Sequence, residues 1–441
     1  MSENNGLKRT LTLFPCVMIM ITSVIGSGIF TVPGEIMAAA QGSGTIFLAW
    51  ILAGICVFLM SLVYIELAPA MPQAGGAYNY LREAFGTKFA YFYGWGKMVN
   101  EVAVMALYAL AVTNYLTFFF SLSPVVCKII GTVVILCAAI FNIYGVKQGS
   151  AVTSGLTVAK ILGLAVVIFG GLFIFKGGFD FQPVVSSTVG WKGAIAAAVP
   201  AFFAFGGYNQ LCYMSEEIKD AKKTLPRAIL LGISCIIVIY MLLTVVCIRT
   251  LGVEGLANSD KAVAMAASAI FGNAGGTILA ICALASILAS LNGMLLTTPR
   301  VAFSLARDGS YPYPLAKVHP KTSTPYVAIS CYAVFAIVLL WLGNFTTLLG
   351  MCVFIARIMD VFVALSLAVL RKKRADLDRP FKMIGYPVTL VIAIALCIIF
   401  ACQVPVERII LSVVLCAIGV PVYFITMVVN KKHAEAESKS E

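Results

Sequence analysis

Long apolar segments recur along the whole 441-residue chain, and they limit its possible folds more than any other feature. A helix of roughly twenty apolar residues crosses the hydrocarbon core of a bilayer. Only 11% of the residues are charged, whereas soluble domains contain about 25%. Because hydrocarbon does not tolerate unpaired backbone groups, each apolar segment is predicted to be a helix. The sequence therefore predicts an all-α membrane protein with several spans.

The apolar pattern predicts twelve transmembrane helices, at about 11–33, 43–68, 88–120, 125–145, 151–175, 191–214, 227–251, 275–304, 324–343, 345–370, 385–404 and 407–430. Most of the 31 basic residues fall in alternate connections, such as 219–223 and 371–374. Because cytoplasmic loops are enriched in basic residues, the N-terminus 1–10 and the tail 431–441 are predicted to be cytoplasmic ends of a cell-membrane protein. The net charge of +12 then reflects topology and contact with membrane lipids, and no nucleic-acid partner is expected.

Two predicted spans carry weak helix formers near their middle. The first contains ITSVIGSGIFTVPG at 21–34, and the sixth contains Pro200, Gly206 and Gly207. Inside a helix, glycine costs about 1 kcal/mol and proline about 3 kcal/mol relative to alanine. Interrupted spans at matching positions of two halves indicate a transporter site and a five-plus-five inverted repeat. The repeats are expected at 11–175 and 191–370, followed by two additional spans at 385–430.

An interrupted helix exposes N–H and C=O groups that a polar ligand can bind. We expect a zwitterion whose carboxylate lies near the N–H groups of Ser27, Gly28 and Ile29. Its ammonium group is expected near the carbonyl groups of Thr22, Ile25, Phe203, Ala204 and Gly206. Close packing of helices through small residues is the alternative interpretation. Two interrupted spans, each with a proline, favour a binding site over packing alone.

Lys160 lies near the middle of the fifth predicted span, where an ionisable residue indicates a function. We expect it to act as a fixed cation that binds backbone of span 1, such as that of Gly26, and couples substrate binding to gating. A proton carrier and an incidental residue are the alternatives. No embedded titratable carboxylate is expected near the breaks to carry a proton, which favours exchange over proton symport.

Two further pairs of charged residues fall within predicted spans. Lys97 with Glu101, and Arg357 with Asp360, have spacings that bring opposite charges together on one helix face. Internal neutralisation is the preferred interpretation of both pairs, and a gate whose pairing changes during transport is the alternative. Asn292, on the eighth span, is expected to face the cavity.

The remaining polar residues argue against a metal site and an enzyme. The thirteen cysteines are scattered through apolar segments without a CxxC motif, and both histidines lie in polar stretches. Zinc sites require closely spaced Cys and His ligands. No cofactor is expected either, because the glycines of the first span lack the context of a nucleotide-binding loop. Charge rings or filter loops typical of channels are not visible.

Four motifs occur in order: IGSGIFTVPG at 25–34, FAFGGYNQLCYMSEEIKDAKKTLPRAI at 203–229, PRVAFSLARDGSYP at 299–312 and RPFKMIGYP at 379–387. Together they resemble the amino acid–polyamine–organocation superfamily over about 11–430. Two segments, GGYNQL at 206–211 and VAKILGLAVVI at 158–168, are similar to its L-amino-acid transporter branch. That branch includes the light subunits of heteromeric transporters and their bacterial relatives.

The resemblance implies a twelve-span, LeuT-like inverted-repeat fold with a substrate between spans 1, 3, 6, 8 and 10. It matches Phe203 to the aromatic residue that gates the site. Tyr208 and Asn209 follow the break and are candidates to line the pocket or to join the half-helices. Met294 stands where relatives that exchange arginine for agmatine carry tryptophan, which favours a neutral substrate over a cationic one.

The predicted function is secondary transport of neutral L-amino acids by alternating access, through sodium-independent exchange. A proton-coupled symporter of similar substrates is the alternative. A ligand sensor with the same fold is a further alternative, which a flux measurement would exclude. A single-span partner subunit is not expected, because the chain is compact.

Overall fold

The computed structural model describes residues 11–26, 28–71, 76–144, 150–212, 218–307, 309–322 and 324–437. Within these residues the chain forms helices and turns, with one isolated parallel bridge between Leu11 and Ile218 and no strand. The prediction of an all-α fold is confirmed. The helices are α1 (Leu13–Val24), α2 (Gly28–Thr31), α3 (Pro33–Ala40), α4 (Ser43–Ala70), α5 (Ala77–Phe85), α6 (Thr87–Leu116), α7 (Pro124–Ile143), α8 (Ser150–Phe169), α9 (Gly193–Ala204), α10 (Ala221–Ala257), α11 (Ala262–Arg307), α12 (Tyr326–Leu342), α13 (Phe345–Lys373), α14 (Val388–Ala401), α15 (Val406–Ala417) and α16 (Gly419–Glu437).

Eight helical segments of the described chain are long and apolar enough to cross a membrane. They are Leu13–Thr31, Ser43–Ala70, Thr87–Leu116, Pro124–Ile143, Ala221–Ala257, Ala262–Arg307, Phe345–Lys373 and Val406–Asn430. Three shorter apolar helices are Lys160–Ile174, Tyr326–Leu342 and Val388–Ala401. These lengths agree with a helical protein of several spans, and the count of twelve stays a prediction.

The first predicted break is present as an interruption between α1 and α3. The α-helix stops at Val24, resumes for one turn at Gly28–Thr31, and begins again at Pro33–Ala40. Pro33 occupies the first position of α3, where its missing N–H costs no hydrogen bond. The weak helix formers of this stretch therefore end one helix and start another.

The second predicted break follows α9, whose last residue is Ala204. Gly207 adopts a φ of 95°, which favours glycine. A Cβ on Gly207 would lie 2.5 Å from the carbonyl oxygen of Ser23, so the second break touches the end of α1. At the first break, a Cβ on Gly28 would lie 2.7 Å from Ala204 Cα. The glycines thus allow the two interrupted helices to meet.

The helices around the two breaks form one packed bundle. α1 packs against α10, α4 against α9, and α6 against both α11 and α13. Tyr240 of α10 donates a hydrogen bond to the carbonyl of Ala204 at 2.8 Å, and its hydroxyl lies 3.3 Å from the carbonyl oxygen of Val24. One side chain therefore contacts the last residue of both α1 and α9.

The basic end of α13 is tied to the rest of the bundle by ion pairs. Glu66 of α4 has a fully buried side chain, and it accepts hydrogen bonds from Arg371 at 2.8 and 2.5 Å and from the Met383 N–H at 2.7 Å. Beyond α13, hydrogen bonds from the Arg374 guanidinium lower the pKa of the exposed Asp376 carboxyl. These contacts fix α13, which contributes one wall of the site, against α4.

Candidate functional site

A cavity of about 400 Å³ lies where the two breaks meet. Its walls come from α1, the start of α2, α4, α6, α11, α13 and the segment around the end of α9. Backbone and side chains of both interrupted helices therefore face one cavity. The residues that line it are Thr22, Ser23, Val24, Gly26, Gly28, Tyr64, Tyr93, Lys97, Asn100, Glu101, Val104, Tyr108, Phe202, Phe203, Gly206, Gly207, Tyr208, Asn209, Gln210, Ser290, Gly293, Met294, Thr297, Thr298, Cys352, Val353, Ala356, Arg357, Met359 and Asp360.

Most candidate residues chosen from the sequence are brought together at this cavity. Eight of them line it, namely Thr22, Gly26, Gly28, Phe203, Gly206, Tyr208, Asn209 and Met294. Ile25, Ile29 and Ala204 are buried behind its surface. Ser27 lies outside the described residues. The candidates therefore share one location, while their roles in binding stay predictions.

The protein itself occupies several of the carbonyl groups expected to bind an ammonium group. Ala204 O accepts from the Tyr240 hydroxyl at 2.8 Å, and Phe203 O accepts from the Gly206 N–H at 3.0 Å. Thr22 O accepts from Lys160 Nζ at 3.2 Å. A carbonyl oxygen has two lone pairs, so each of these groups keeps capacity for a second donor.

Lys160 reaches the backbone of span 1, as expected, but at a different residue. It is 7% exposed, does not line the cavity, and contacts Thr22 rather than Gly26. The segment that follows its helix is also anchored, because Arg249 of α10 donates five hydrogen bonds to carbonyl groups within 171–177 at 2.8 to 3.1 Å. Lys160 therefore sits on a helix that is fixed to α1 and to α10.

Both charge pairs predicted from helical spacing are formed. Lys97 Nζ lies 2.5 Å from Glu101 Oε1, and Arg357 Nη2 lies 2.8 Å from Asp360 Oδ2. Asp360 also accepts hydrogen bonds from Tyr208 at 2.8 Å and from Tyr64 at 3.4 Å. All four charged residues line the cavity.

The argument that no carboxylate lies near the breaks is wrong. Asp360 bonds directly to Tyr208 in the segment that follows the second break, and Glu101 lines the same cavity. These residues lie far from the breaks along the sequence, and packing of α6 and α13 brings both to the cavity, with Asp360 in contact with the segment after the second break. The absence of a nearby carboxylate therefore cannot be used to favour exchange over proton symport.

Several cavity residues were missed at the sequence level because they lie singly in apolar helices. A Cβ on Gly26 would lie 3.9 Å from both the Ser290 hydroxyl and the Tyr108 hydroxyl, so these groups face the first break. Asn292, expected at the cavity, instead accepts a hydrogen bond from Asn142 at 2.9 Å. The helical period places Ser290 and Asn292 on different faces of α11, a distinction that composition alone does not make.

Comparison with known proteins identifies the family of this chain. The sequence profile of the family described as "Amino acid permease" matches residues 11–429. The chain is similar to the serine/threonine exchanger SteT of Bacillus subtilis (strain 168), with 29% identity over 398 residues that cover 89% of this chain and 90% of the relative. It is also 29% identical to the b(0,+)-type amino acid transporter 1 of Mus musculus over 407 residues, covering 90% and 83% of the two chains.

A third relative is the large neutral amino acids transporter small subunit 2 of Mus musculus. It is 28% identical over 437 residues, which cover 95% of this chain and 81% of the relative. The relatives are transporters, so the predicted class, a transporter rather than an enzyme, is confirmed. The chain therefore belongs to the amino acid permease family within the amino acid–polyamine–organocation superfamily, as its four motifs indicate.

Proposed function

We propose that this protein is a sodium-independent exchanger of neutral L-amino acids, and that it holds its substrate where the two interrupted helices meet. The observation that carries the proposal is the contact between the breaks at one cavity, with Gly28 against Ala204 and Gly207 against Ser23. Helix ends supply the partial charges that a carboxylate and an ammonium group require. A zwitterion therefore suits this site without a cofactor.

Small hydroxyl-bearing amino acids are the first substrates to test. The hydroxyl groups of Ser290 and Tyr108 face the first break, and Ser23 lines the same cavity. A hydroxyl-bearing substrate side chain can donate to such groups, because a hydroxyl oxygen that already donates its own proton keeps acceptor lone pairs. The name of the bacterial relative, a serine/threonine exchanger, supports the same substrate class.

The fold that accompanies this proposal has twelve spans and a five-plus-five inverted repeat at 11–175 and 191–370. Rocking of one group of helices against another around the breaks would give alternating access. Both chain ends are proposed to lie in the cytoplasm of a cell-membrane protein. One mouse relative is named a small subunit; we propose that this chain needs no single-span partner.

A proton-coupled symporter of similar substrates is the second candidate. Glu101 and Asp360 favour it, because both carboxylates line the cavity and Asp360 bonds to Tyr208 beside the second break. Each carboxylate already forms an ion pair in the wall of the cavity. The exchanger stays the first candidate because the bacterial relative is named an exchanger.

Reconstitution of the purified chain alone tests the proposal. We expect labelled serine to enter proteoliposomes loaded with unlabelled serine, without sodium and without a pH step. Empty vesicles should take up little label under the same conditions. Uptake into empty vesicles driven by an imposed pH gradient would identify a symporter, and no uptake of any neutral amino acid would contradict the proposed function.

A further inference from the structure

The two ion pairs within predicted spans differ in how far their side chains are exposed. The side chains of Arg357 and Asp360 are 5% and 6% exposed, and the pair is enclosed by Tyr208, Tyr64 and the ring of Phe202. The side chains of Lys97 and Glu101 are 38% and 13% exposed, and both line the cavity. A solute in the cavity can therefore reach the second pair more readily than the first.

The Lys97–Glu101 pair is distant from the breaks. On α6, the hydroxyl group of Tyr108 faces Gly26 at the first break. Glu101 and Lys97 precede Tyr108 by seven and eleven residues. At 1.5 Å per residue these positions lie about 10 and 16 Å from Tyr108 along the helix axis.

The wall of the cavity that α11 forms extends in the same direction, away from the breaks. On α11, Thr297 and Thr298 follow Ser290 by seven and eight residues, about 10 to 12 Å along that helix. The cavity thus continues from the breaks toward the first residue of α6 and the last residue of α11. Basic residues at these ends place this side in the cytoplasm by prediction.

We propose that Lys97 and Glu101 form an inner subsite that receives the head of an amino acid between the breaks and the cytoplasmic side. The ammonium of Lys97 suits the substrate carboxylate, and the carboxylate of Glu101 suits the substrate ammonium. The ion pair opens to bind the zwitterion and closes when the substrate leaves. This inference rests on the proposed function and adds a second binding position to it.

Stability alone gives little reason for this pair. A pair whose side chains are 38% and 13% exposed contributes only about 0–1 kcal/mol to stability. Ionisable residues within spans are rare, and those that face a cavity mark substrate pathways. A pair that lines the cavity is therefore better explained by a ligand than by packing.

The test replaces both residues with neutral amides, Lys97→Gln together with Glu101→Gln. Serine exchange is measured in right-side-out and in inverted membrane vesicles, which expose the outer and the inner face respectively. We expect the half-saturation concentration at the inner face to rise about tenfold, the loss expected for one hydrogen bond to a charged group. The half-saturation concentration at the outer face should stay that of the parent.

A surface pair provides the matched control. Lys222 Nζ and Asp378 Oδ2 lie 2.5 Å apart, and their side chains are 57% and 75% exposed, outside the cavity. The variant Lys222→Gln with Asp378→Asn should therefore match the parent at both faces.

Equal changes at both faces would overturn the subsite. Unchanged half-saturation at both faces would also overturn it, whether or not turnover slows. If the amide pair does not fold, Lys97→Met with Glu101→Leu gives a neutral apolar pair for the same measurement. Failure of both variants to fold would show that the pair serves stability, and this too contradicts the subsite. Absence of exchange by the parent would instead contradict the proposed function.

Discussion

At the scale of single residues, two tyrosine hydroxyl groups hold the interrupted helices in place. Tyr240 contacts the last carbonyl groups of α1 and α9, and Tyr208 joins the segment after the second break to Asp360. A buried carboxylate that loses a donor retains its desolvation cost without the compensating bond. The positions of the breaks therefore depend on side-chain donors as well as on glycine and proline.

Replacing Tyr208 with phenylalanine removes the 2.8 Å hydrogen bond to Asp360 and keeps the ring. A hydrogen bond to a charged group contributes about 1.5–3 kcal/mol. We expect a lower thermal midpoint of the purified protein and a higher half-saturation concentration for serine exchange. Tyr144→Phe is the control, because Tyr144 is 63% exposed. Equal behaviour of the two variants would show that the Tyr208 bond does not support the site.

At the scale of elements, α8 shows how one helix links the first interrupted helix to α10. Lys160 bonds to Thr22 in the last turns of α1. Arg249 of α10 uses all five of its N–H donors on carbonyl groups that follow α8, and its guanidinium lies 4.0 Å from the centre of the Phe179 ring. These contacts join the middle of α8 to α1, and the segment that follows α8 to α10.

Lys160→Ala removes the contact between α8 and α1. Because the residue lies outside the cavity surface, we expect slower exchange, or a change in half-saturation at one face more than the other, while the protein still folds. Turnover and half-saturation are measured at each face of oriented vesicles. Lys192→Ala, an exposed basic residue, is the control. Turnover and affinities equal to those of the control would contradict a coupling role.

The local parts of these elements could be predicted from the sequence, and the long-range contacts could not. Helix interruption at 21–34 follows from residue propensities, and the Lys97–Glu101 pair follows from helical spacing. The bond between Tyr208 and Asp360 joins residues 152 positions apart, and the one between Asn142 and Asn292 spans 150 positions. Such contacts depend on how helices pack, and the periodicity of one helix does not predict which residues of another helix it contacts.

At the scale of the whole molecule, the two breaks meet at one cavity, where we propose that a small zwitterion binds. Composition and apolar runs predicted a helical membrane protein, and the four motifs indicated its family. Neither the composition nor the motifs predict which carbonyl groups remain available to a substrate, because Lys160 and Tyr240 reach the breaks from other helices. The direction in which the cavity extends, toward Lys97 and Glu101, likewise emerges from the packed bundle.

The central claim is that the substrate head binds where Gly28 meets Ala204. Binding of labelled serine to the purified protein tests it directly, with Gly28→Val compared with the parent. Even a single Cβ at this position would lie 2.7 Å from Ala204 Cα, so the variant must displace one break from the other. Gly178→Val is the control, since nothing lies within 4 Å of its added Cβ. We predict that a folded Gly28→Val protein loses serine binding while the control keeps it, and parental affinity in Gly28→Val would contradict the account.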